Sequence, residues 1–413
     1  MRGLIGRQRE REALEDAFHS GRPEFVAVYG RRRVGKTFLI RSVFERDFTF
    51  FFTAAPQARK AEQLAAFAAA LAEYGGGEPP LLADWTAAFT VLRRLVEKAN
   101  RKRKVVFIDE LPWLDTRGSG FLPALQSFWN GWASVQDDVM LVVCGSAASW
   151  IVKKIFRDRG GLHNRVTRRI LLRPFTLAET KEFLEPSGLP VDTLSLLETY
   201  MTVGGIPYYL DLLSPKESLT QNIERLCFAP GGALRGEFND LYPSLFRDPQ
   251  RHLRVVRALA KKRVGLTREE IQQATRIPEG GGLTAVLEEL ELSGFIHRYE
   301  PYARKIRGSL FRLGDFFTLF HLAFIEGSRD NDPAYWQKTT QSQAYRTWRG
   351  YAFEQVCLSH LDQLRRALGI EAVIATAASW RSSSVKPGAQ VDLLLDRADR
   401  VVTLCEMKFS ESP

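Results

Sequence analysis

The chain has 413 residues, 45% of them hydrophobic, and its 58 Lys and Arg against 48 Asp and Glu give a net charge of +10. That length exceeds one ordinary core and predicts three domains, and the apolar fraction excludes a disordered chain. The charge favours polyanions without choosing among nucleic acid, nucleotide and membrane.

A charged helix is predicted over residues 7–18, after which Gly21-Arg22-Pro23 turns the chain into the apolar run Phe25–Tyr29, a buried strand. A helix over 35–44 and an aromatic strand over 48–53 complete a β-α-β unit. Helices are expected over 58–74 and up to the basic cluster 101–104, on either side of a Gly/Pro loop at 75–80. A strand at 105–108, a helix at 122–132, a strand at 139–144 and a strand-like run at 169–172 continue the alternation of a parallel sheet covered by helices. Helical sequence over 177–213 closes this α/β module. Residues 214–248, interrupted by Pro215, Pro230, Gly231, Gly232 and Pro243, predict a linker. A helix to Lys262 follows, then a capping box from Thr267 to Glu270, a Gly-rich turn at 280–282, a third helix ending at Gly294, and strands over 295–299 and 309–313. That order predicts a winged helix-turn-helix. Helices over 316–324 and 348–368 and strands over 391–395 and 401–409 complete the chain.

Cys144, Cys227, Cys357 and Cys405 lie far apart with no zinc or disulfide spacing. The N-terminus is charged where a signal peptide is apolar, and no apolar run reaches membrane length. A cytoplasmic location away from membranes is expected.

Gly30-Arg31-Arg32-Arg33-Val34-Gly35-Lys36-Thr37 matches GxxxxGKT between a predicted strand and helix. In that context backbone N–H groups of the loop, Phe38 included at the helix start, face the phosphates of ATP. Lys36 reaches the β and γ oxygens and Thr37 holds Mg²⁺. The strand ending Ile108-Asp109-Glu110 delivers two carboxylates to the sheet edge where α/β folds bind ligands. Asp109 is expected to anchor the metal, and Glu110 to polarise the attacking water.

These motifs, with Leu4-Ile5-Gly6-Arg7-Gln8-Arg9-Glu10 ahead of them, resemble prokaryotic AAA+/STAND-type P-loop ATPases. The resemblance covers nearly the whole chain and is most specific over residues 1–210. It implies a P-loop NTPase domain with a helical lid over 1–213, a linker and winged-helix module over 214–325, and a PD-(D/E)XK nuclease-like α/β domain over 340–413. It further implies adenine contact through Ile5, Gly6 and Arg7, although Gln8 replaces the usual acid. Ser146, after Cys144-Gly145, falls at the sensor position facing the γ-phosphate or the attacking water; a buried helix cap accounts for it almost as well. Arg165 matches an arginine that stabilises transition-state charge, in trans if the protein self-associates. Gly204-Gly205-Ile206-Pro207 resembles the lid signature and carries no assigned chemistry.

Residues 249–313 hold 13 Lys and Arg against 7 Asp and Glu, which admits DNA as a partner. The helix that would enter a groove carries Glu288, Glu289 and Glu291, leaving a wing contact through Arg304, Lys305 and Arg307 or a protein-docking role. Glu354, Asp392, Glu406 and Lys408 form an E…D…ExK series. Glu406 and Lys408 share one strand face, and antiparallel pairing is expected to bring Asp392 beside them, so that the carboxylates bind Mg²⁺ and Lys408 acts in phosphodiester hydrolysis. The chain ends five residues after Lys408, before the helix and strand such domains add, so a shortened and inactive fold is an expectation too. The leading expectation is an ATP-hydrolysing switch coupled to a nuclease-like domain acting on DNA. The rival is a slow-turnover ATP-binding signalling scaffold.

Overall fold

The computed structural model describes residues 3–157, 160–189, 191–262, 264–278, 280–302, 308–328, 332, 334–382 and 389–410. Two compact units divide the chain, Met1–Arg173 and Pro174–Pro413.

In the first unit, β1 (Glu24–Tyr29), β2 (Phe48–Thr53), β3 (Lys104–Asp109), β4 (Val139–Gly145) and β5 (Arg168–Leu171) form a sheet in the order β2-β3-β4-β1-β5. Every pairing is parallel. The central strands read as unbroken apolar runs because helices cover both faces, and β4 is buried at every position. The edge strand β5 alternates instead between buried and exposed. Helices Lys60–Gly75, Trp85–Lys98 and Phe121–Gly131 carry an aromatic core. Phe67 meets Phe50 at 5.0 Å and Trp85 at 5.5 Å, and Trp85 meets Phe121 at 5.0 Å. The two Trp85 contacts are edge-to-face, and pairs of that kind add about 0.5–1.5 kcal/mol each beyond burial. Asp84 accepts from the Ala87 N–H at 2.8 Å and fixes the start of its helix, a cap worth about 1 kcal/mol.

The second unit begins with the helices Leu177–Leu184, Thr193–Val203 and Pro207–Asp211, where the sequence predicted one continuous helical stretch. The Gly204-Gly205-Ile206-Pro207 signature makes the break. A side chain at Gly205 would collide with the Phe175 backbone, whose N–H donates to the Gly205 carbonyl at 2.6 Å. Tyr200 of the middle helix packs edge-on against Phe316 and His360, at 5.1 and 5.4 Å. The three helices are thus part of the core of the second unit.

The expected linker is ordered and packed. It forms a helix Leu219–Ile223 with a Ser218/Gln221 capping box, a π-turn Glu224–Phe228 and a helix Glu237–Leu241. Its apolar residues, among them Leu226, Phe228, Leu234 and Phe238, are buried. Glycines and prolines break the periodicity there without removing the apolar content.

Helices Pro249–Lys261, Arg268–Thr275 and Gly281–Leu292 follow, the second opened by the Thr267/Glu270 capping box that the sequence showed. Then come β6 (Ile296–Pro301) and β7 (Leu310–Leu313), antiparallel, with Leu266 bridged to Phe311. After the helix Phe316–Phe320, its π-turn His321–Ile325 and the helices Gln343–Ser359 and Leu361–Ala367, the strands β8 (Ala375–Ser382), β9 (Ala389–Arg397) and β10 (Val402–Cys405) close the unit. The sheet order is β10-β9-β8-β6-β7, with β6 parallel to β8 at Glu300↔Ala378 and Pro301↔Ser379. The segments expected as two domains therefore share one sheet. β8 escaped the sequence reading because ATAASWRS lacks a β-branched alternation; pairing along the length of β9 makes it a strand. Among the described residues no helix is long and apolar enough to cross a membrane.

Candidate nucleotide site

The site lies at the C-terminal edge of the first sheet and follows from its strand order. β1 ends in the glycine-rich loop, β3 ends in Asp109-Glu110, and β4 lies between them, so the residues after β4 face both. At Gly30 (φ +146°) a side chain would strike the Leu172 carbonyl, so only glycine lets the loop leave β1 this way. Gly35 caps the helix Lys36–Phe44.

Lys36 is 5% exposed. Its Nζ donates to the carbonyls of Gly30 at 3.2 Å and Arg31 at 3.0 Å, and to Ser146 Oγ at 3.0 Å. Ser146 Oγ donates onward to Glu110 Oε1 at 2.5 Å, and the Ser146 N–H to Glu110 Oε2 at 3.1 Å. Thr37 Oγ1 donates to Asp109 Oδ2 at 2.8 Å. Asp109, 2% exposed, also accepts from the Glu110 N–H at 2.8 Å and from the Cys144 thiol. Burial raises the Asp109 carboxyl above its ordinary range, and the neighbouring Glu110 charge adds to the rise. Burial likewise pushes the Cys144 thiol up, with Asp109 reinforcing it, so Cys144 stays a donor. Glu110 holds left-handed backbone, φ +51°, unusual for a non-glycine residue and common at working sites.

The structure thus brings Lys36, Thr37, Asp109, Glu110 and Ser146 into one cluster. Ser146 does not cap a helix with its side chain: Ala147 takes the cap position of the next helix, without a side-chain bond, and the Ser146 hydroxyl is spent on Lys36 and Glu110. Arg7 is buried, with its guanidinium donating to the Val34 carbonyl at 3.3 Å, so the N-terminal motif reaches the loop. Gly6 and Arg7 both take left-handed backbone just before the helix Gln8–His19, and Ile5 is half-buried. Arg31 is buried, Arg32 and Arg33 are half-buried, and Phe38 is 45% exposed. Cys144 was missed by the sequence reading; the β3–β4 register, with Ile108 beside Val143, puts it next to Asp109.

Arg165 lies elsewhere. It is exposed, two residues before Thr167, whose N–H donates to the Phe25 carbonyl at the N-terminal end of β1. In a parallel sheet that end is opposite the glycine-rich loop, so Arg165 does not reach the cluster of its own chain.

The C-terminal carboxylates do not assemble as expected. Among the described residues no three His, Cys, Asp or Glu side chains gather in a metal-holding group. Glu354 is ion-paired with Arg312, itself 2% exposed, and burial pushes the Glu354 carboxyl up while Arg312 pulls it down. Asp392 accepts from the Met407 N–H at 2.9 Å. Glu406 and Lys408 share a face, as the spacing requires, but it is the exposed one: their side chains, 72% and 79% exposed, pair at 3.0 Å. The reason is alternation, since Cys405 and Met407 take the side packed on Leu393 and Leu395. Glu354, Asp392 and Lys408 still line one cavity of about 460 Å³ with Tyr351 and Phe409. Four of the basic residues of 249–313 are ion-paired: Arg251 with Asp248, Arg257 with Glu326, Lys262 with Glu270 and Arg298 with Glu291. Arg304, Lys305 and Arg307, the expected wing contact, lie outside the described residues.

A family described as an ATPase domain predominantly from Archaea matches residues 4–213, about half of the chain and all of the site just described. The chain belongs to that family. An uncharacterized protein of Methanocaldococcus jannaschii is 25% identical over 426 residues, covering 99% of this chain and 88% of its own. The Walker-type ATPase of Pyrococcus abyssi shares the fold, with TM-score 0.57 and 19% identity over 77% of this chain and 96% of that one. The ORC2 protein of Aeropyrum pernix, solved in ADPNP–ADP complexes, aligns with TM-score 0.44 and 16% identity over 82% of this chain and 96% of that one.

Proposed function

We propose that the protein is a magnesium-dependent ATPase acting as a nucleotide-driven switch. The observation that carries this is the cluster in which Thr37 meets Asp109 while Ser146 links Lys36 to Glu110. Thr37 Oγ1 and the Asp109 carboxylate are the hard oxygen donors that Mg²⁺ prefers, and they would hold it directly or through water. Bound there, the ion would neutralise phosphate charge. Glu110 is the group to take the proton of the attacking water, and Lys36 the cation for the β and γ oxygens. Phosphate release and calorimetric ATP binding test this together. Lys36→Ala should abolish turnover and weaken binding, and Glu110→Gln should abolish turnover while binding survives; Glu110→Gln turning over like the parent would refute the assignment.

Arg165 serves in trans on this reading, because its own chain keeps it at the far edge of the sheet. Mixing inactive Lys36→Ala and Arg165→Ala proteins should restore part of the activity, and a mixture as inactive as its components rejects the role.

A second reading concerns the second unit. Three helices, the antiparallel pair β6–β7 and the Leu266–Phe311 bridge support a winged helix, and the cavity lined by Glu354, Asp392 and Lys408 supports a nuclease-like domain acting on DNA. The outward Glu406 weighs toward a domain that binds without cutting. Mg²⁺-dependent nicking of plasmid DNA that disappears in Asp392→Ala would restore the cutting activity.

A further inference from the structure

The positive charge of this chain is concentrated where the motifs did not point. Between residues 153 and 173 stand eight Lys and Arg against the single Asp158, so these 21 residues hold most of the net +10 of the whole chain. The segment runs from the π-turn Val152–Phe156 into β5, the edge strand of the first sheet. Lys154, Arg157, Arg165, Arg169 and Arg173 are all exposed. Two of them, with the chain around Phe156, share one surface: the Arg169 guanidinium lies 4.6 Å over the Phe156 ring, Phe156 packs edge-on against Tyr29 at 5.2 Å, and both Arg169 and Arg173 act electrostatically on the Tyr29 hydroxyl. Among the described residues, none of Lys154, Arg157, Arg165 or Arg173 is ion-paired.

We propose that this basic strip, Lys154, Arg157 and the segment 165–173 that contains β5, docks the phosphate backbone of duplex DNA. At about 3.3 Å per residue the strand β5 itself spans roughly 13 Å, along which a duplex presents a charge about every 1.7 Å. Six of the eight cations are arginines, whose planar fork fits phosphate oxygens two at a time. Single-strand binding calls for exposed rings on which bases stack. The only Phe, Tyr or Trp in the strip, Phe156, is buried beneath Arg169. An edge strand studded with charge also deters sheet-to-sheet addition between molecules, and that plainer role is what the experiment must separate. The inference deepens the DNA reading above but moves the contact from the wing to the ATPase sheet, and it needs neither nuclease nor ATPase activity.

The test is fluorescence anisotropy of a labelled duplex of about 30 base pairs, titrated with the full chain between about 50 and 200 mM salt. The parent protein should bind with a log–log salt slope of about −4 to −5, one phosphate for each of the five exposed cations. The triple variant Lys154→Glu, Arg157→Glu, Arg173→Glu should lose about 100-fold or more in affinity at low salt. The milder Lys154→Gln, Arg157→Gln, Arg173→Gln should flatten the slope by about 3 while circular dichroism and ATP turnover stay at parental values. Duplex binding that both variants leave unchanged overturns this placement and leaves the DNA reading standing. If the parent does not bind duplex, both fall and the strip is edge protection. Tighter binding to polyglutamate or to anionic phosphatidylserine vesicles than to duplex also overturns the proposal.

Discussion

Replacing Ser146 with alanine separates a working group from a structural one. The substitution removes one hydroxyl that accepts from Lys36 at 3.0 Å and donates to Glu110 at 2.5 Å. Each bond has a charged partner and would be worth about 1.5–3 kcal/mol by itself. Neither partner is abandoned, however. Lys36 keeps the carbonyls of Gly30 and Arg31, and Glu110 keeps the Ser146 N–H. The net loss of stability should therefore be about 1–2 kcal/mol, a fall in melting temperature of roughly 3–6 °C. Turnover should suffer more, because Glu110 loses the shorter of the two contacts that orient it. Loss of about 1.4–2.8 kcal/mol of transition-state stabilisation lowers kcat by about 10- to 100-fold. The Kd for ATP, set mainly by the loop and Lys36, should change less than about threefold. Single-turnover phosphate release and calorimetry measure both quantities. A variant with lower melting temperature and parental kcat would show that Ser146 only braces the loop, and the positioning argument would fail.

Thr37→Ala should make ATP binding nearly indifferent to magnesium, erasing a gain of about tenfold or more that the parent shows when the ion is added, as read by calorimetry with and without EDTA. Arg312→Ala leaves Glu354 buried without its ion pair, a change that costs about 3–5 kcal/mol, while Arg312→Met with Glu354→Met should recover most of that in urea denaturation. His321 is buried against Phe238 at 4.2 Å, and burial lowers its imidazole to about 4. The unfolded chain takes up this proton near pH 6.5 and the folded one only near 4, so the contribution is intact above pH 6.5 and is lost as pH falls toward 4. The difference between parent and His321→Phe should change by about 3 kcal/mol across that window; denaturation curves whose difference stays flat from pH 7 to 4 would contradict it.

The nucleotide cluster was legible because its motifs are local. Gly30 to Thr37 and Val105 to Glu110 declare both the residues and the strand ends that carry them. What local pattern cannot supply is strand order, and only with β4 between β1 and β3 do Ser146 and Cys144 acquire their partners. Arg165 shows the same limit from the other side: its motif was visible, but its end of β5 is fixed by the Thr167–Phe25 contact across 142 residues of sequence. In the second unit the two-residue spacing of Glu406 and Lys408 did put them on one face. Which face was outward depended on Leu393 and Leu395, whose packing draws Cys405 and Met407 inward. The expected linker is packed because its glycines and prolines break the periodicity without opening the chain, and Leu226, Phe228 and Phe238 beside them have a core to enter. The charge count over 249–313 leaves out Asp248 and Glu326, which lie beyond that range and pair with Arg251 and Arg257.

Among the described residues, two pairs stitch the second sheet across its middle, Glu300 with Ala378 and Pro301 with Ser379. Proline has no N–H to give, so this seam is poorer in backbone bonds than the hairpins on either side of it. Material joined so sparingly can be exchanged. A descendant could inherit a different β8–β10 graft and keep β6–β7 and the helices before them unaltered, provided the newcomer offers one short parallel edge.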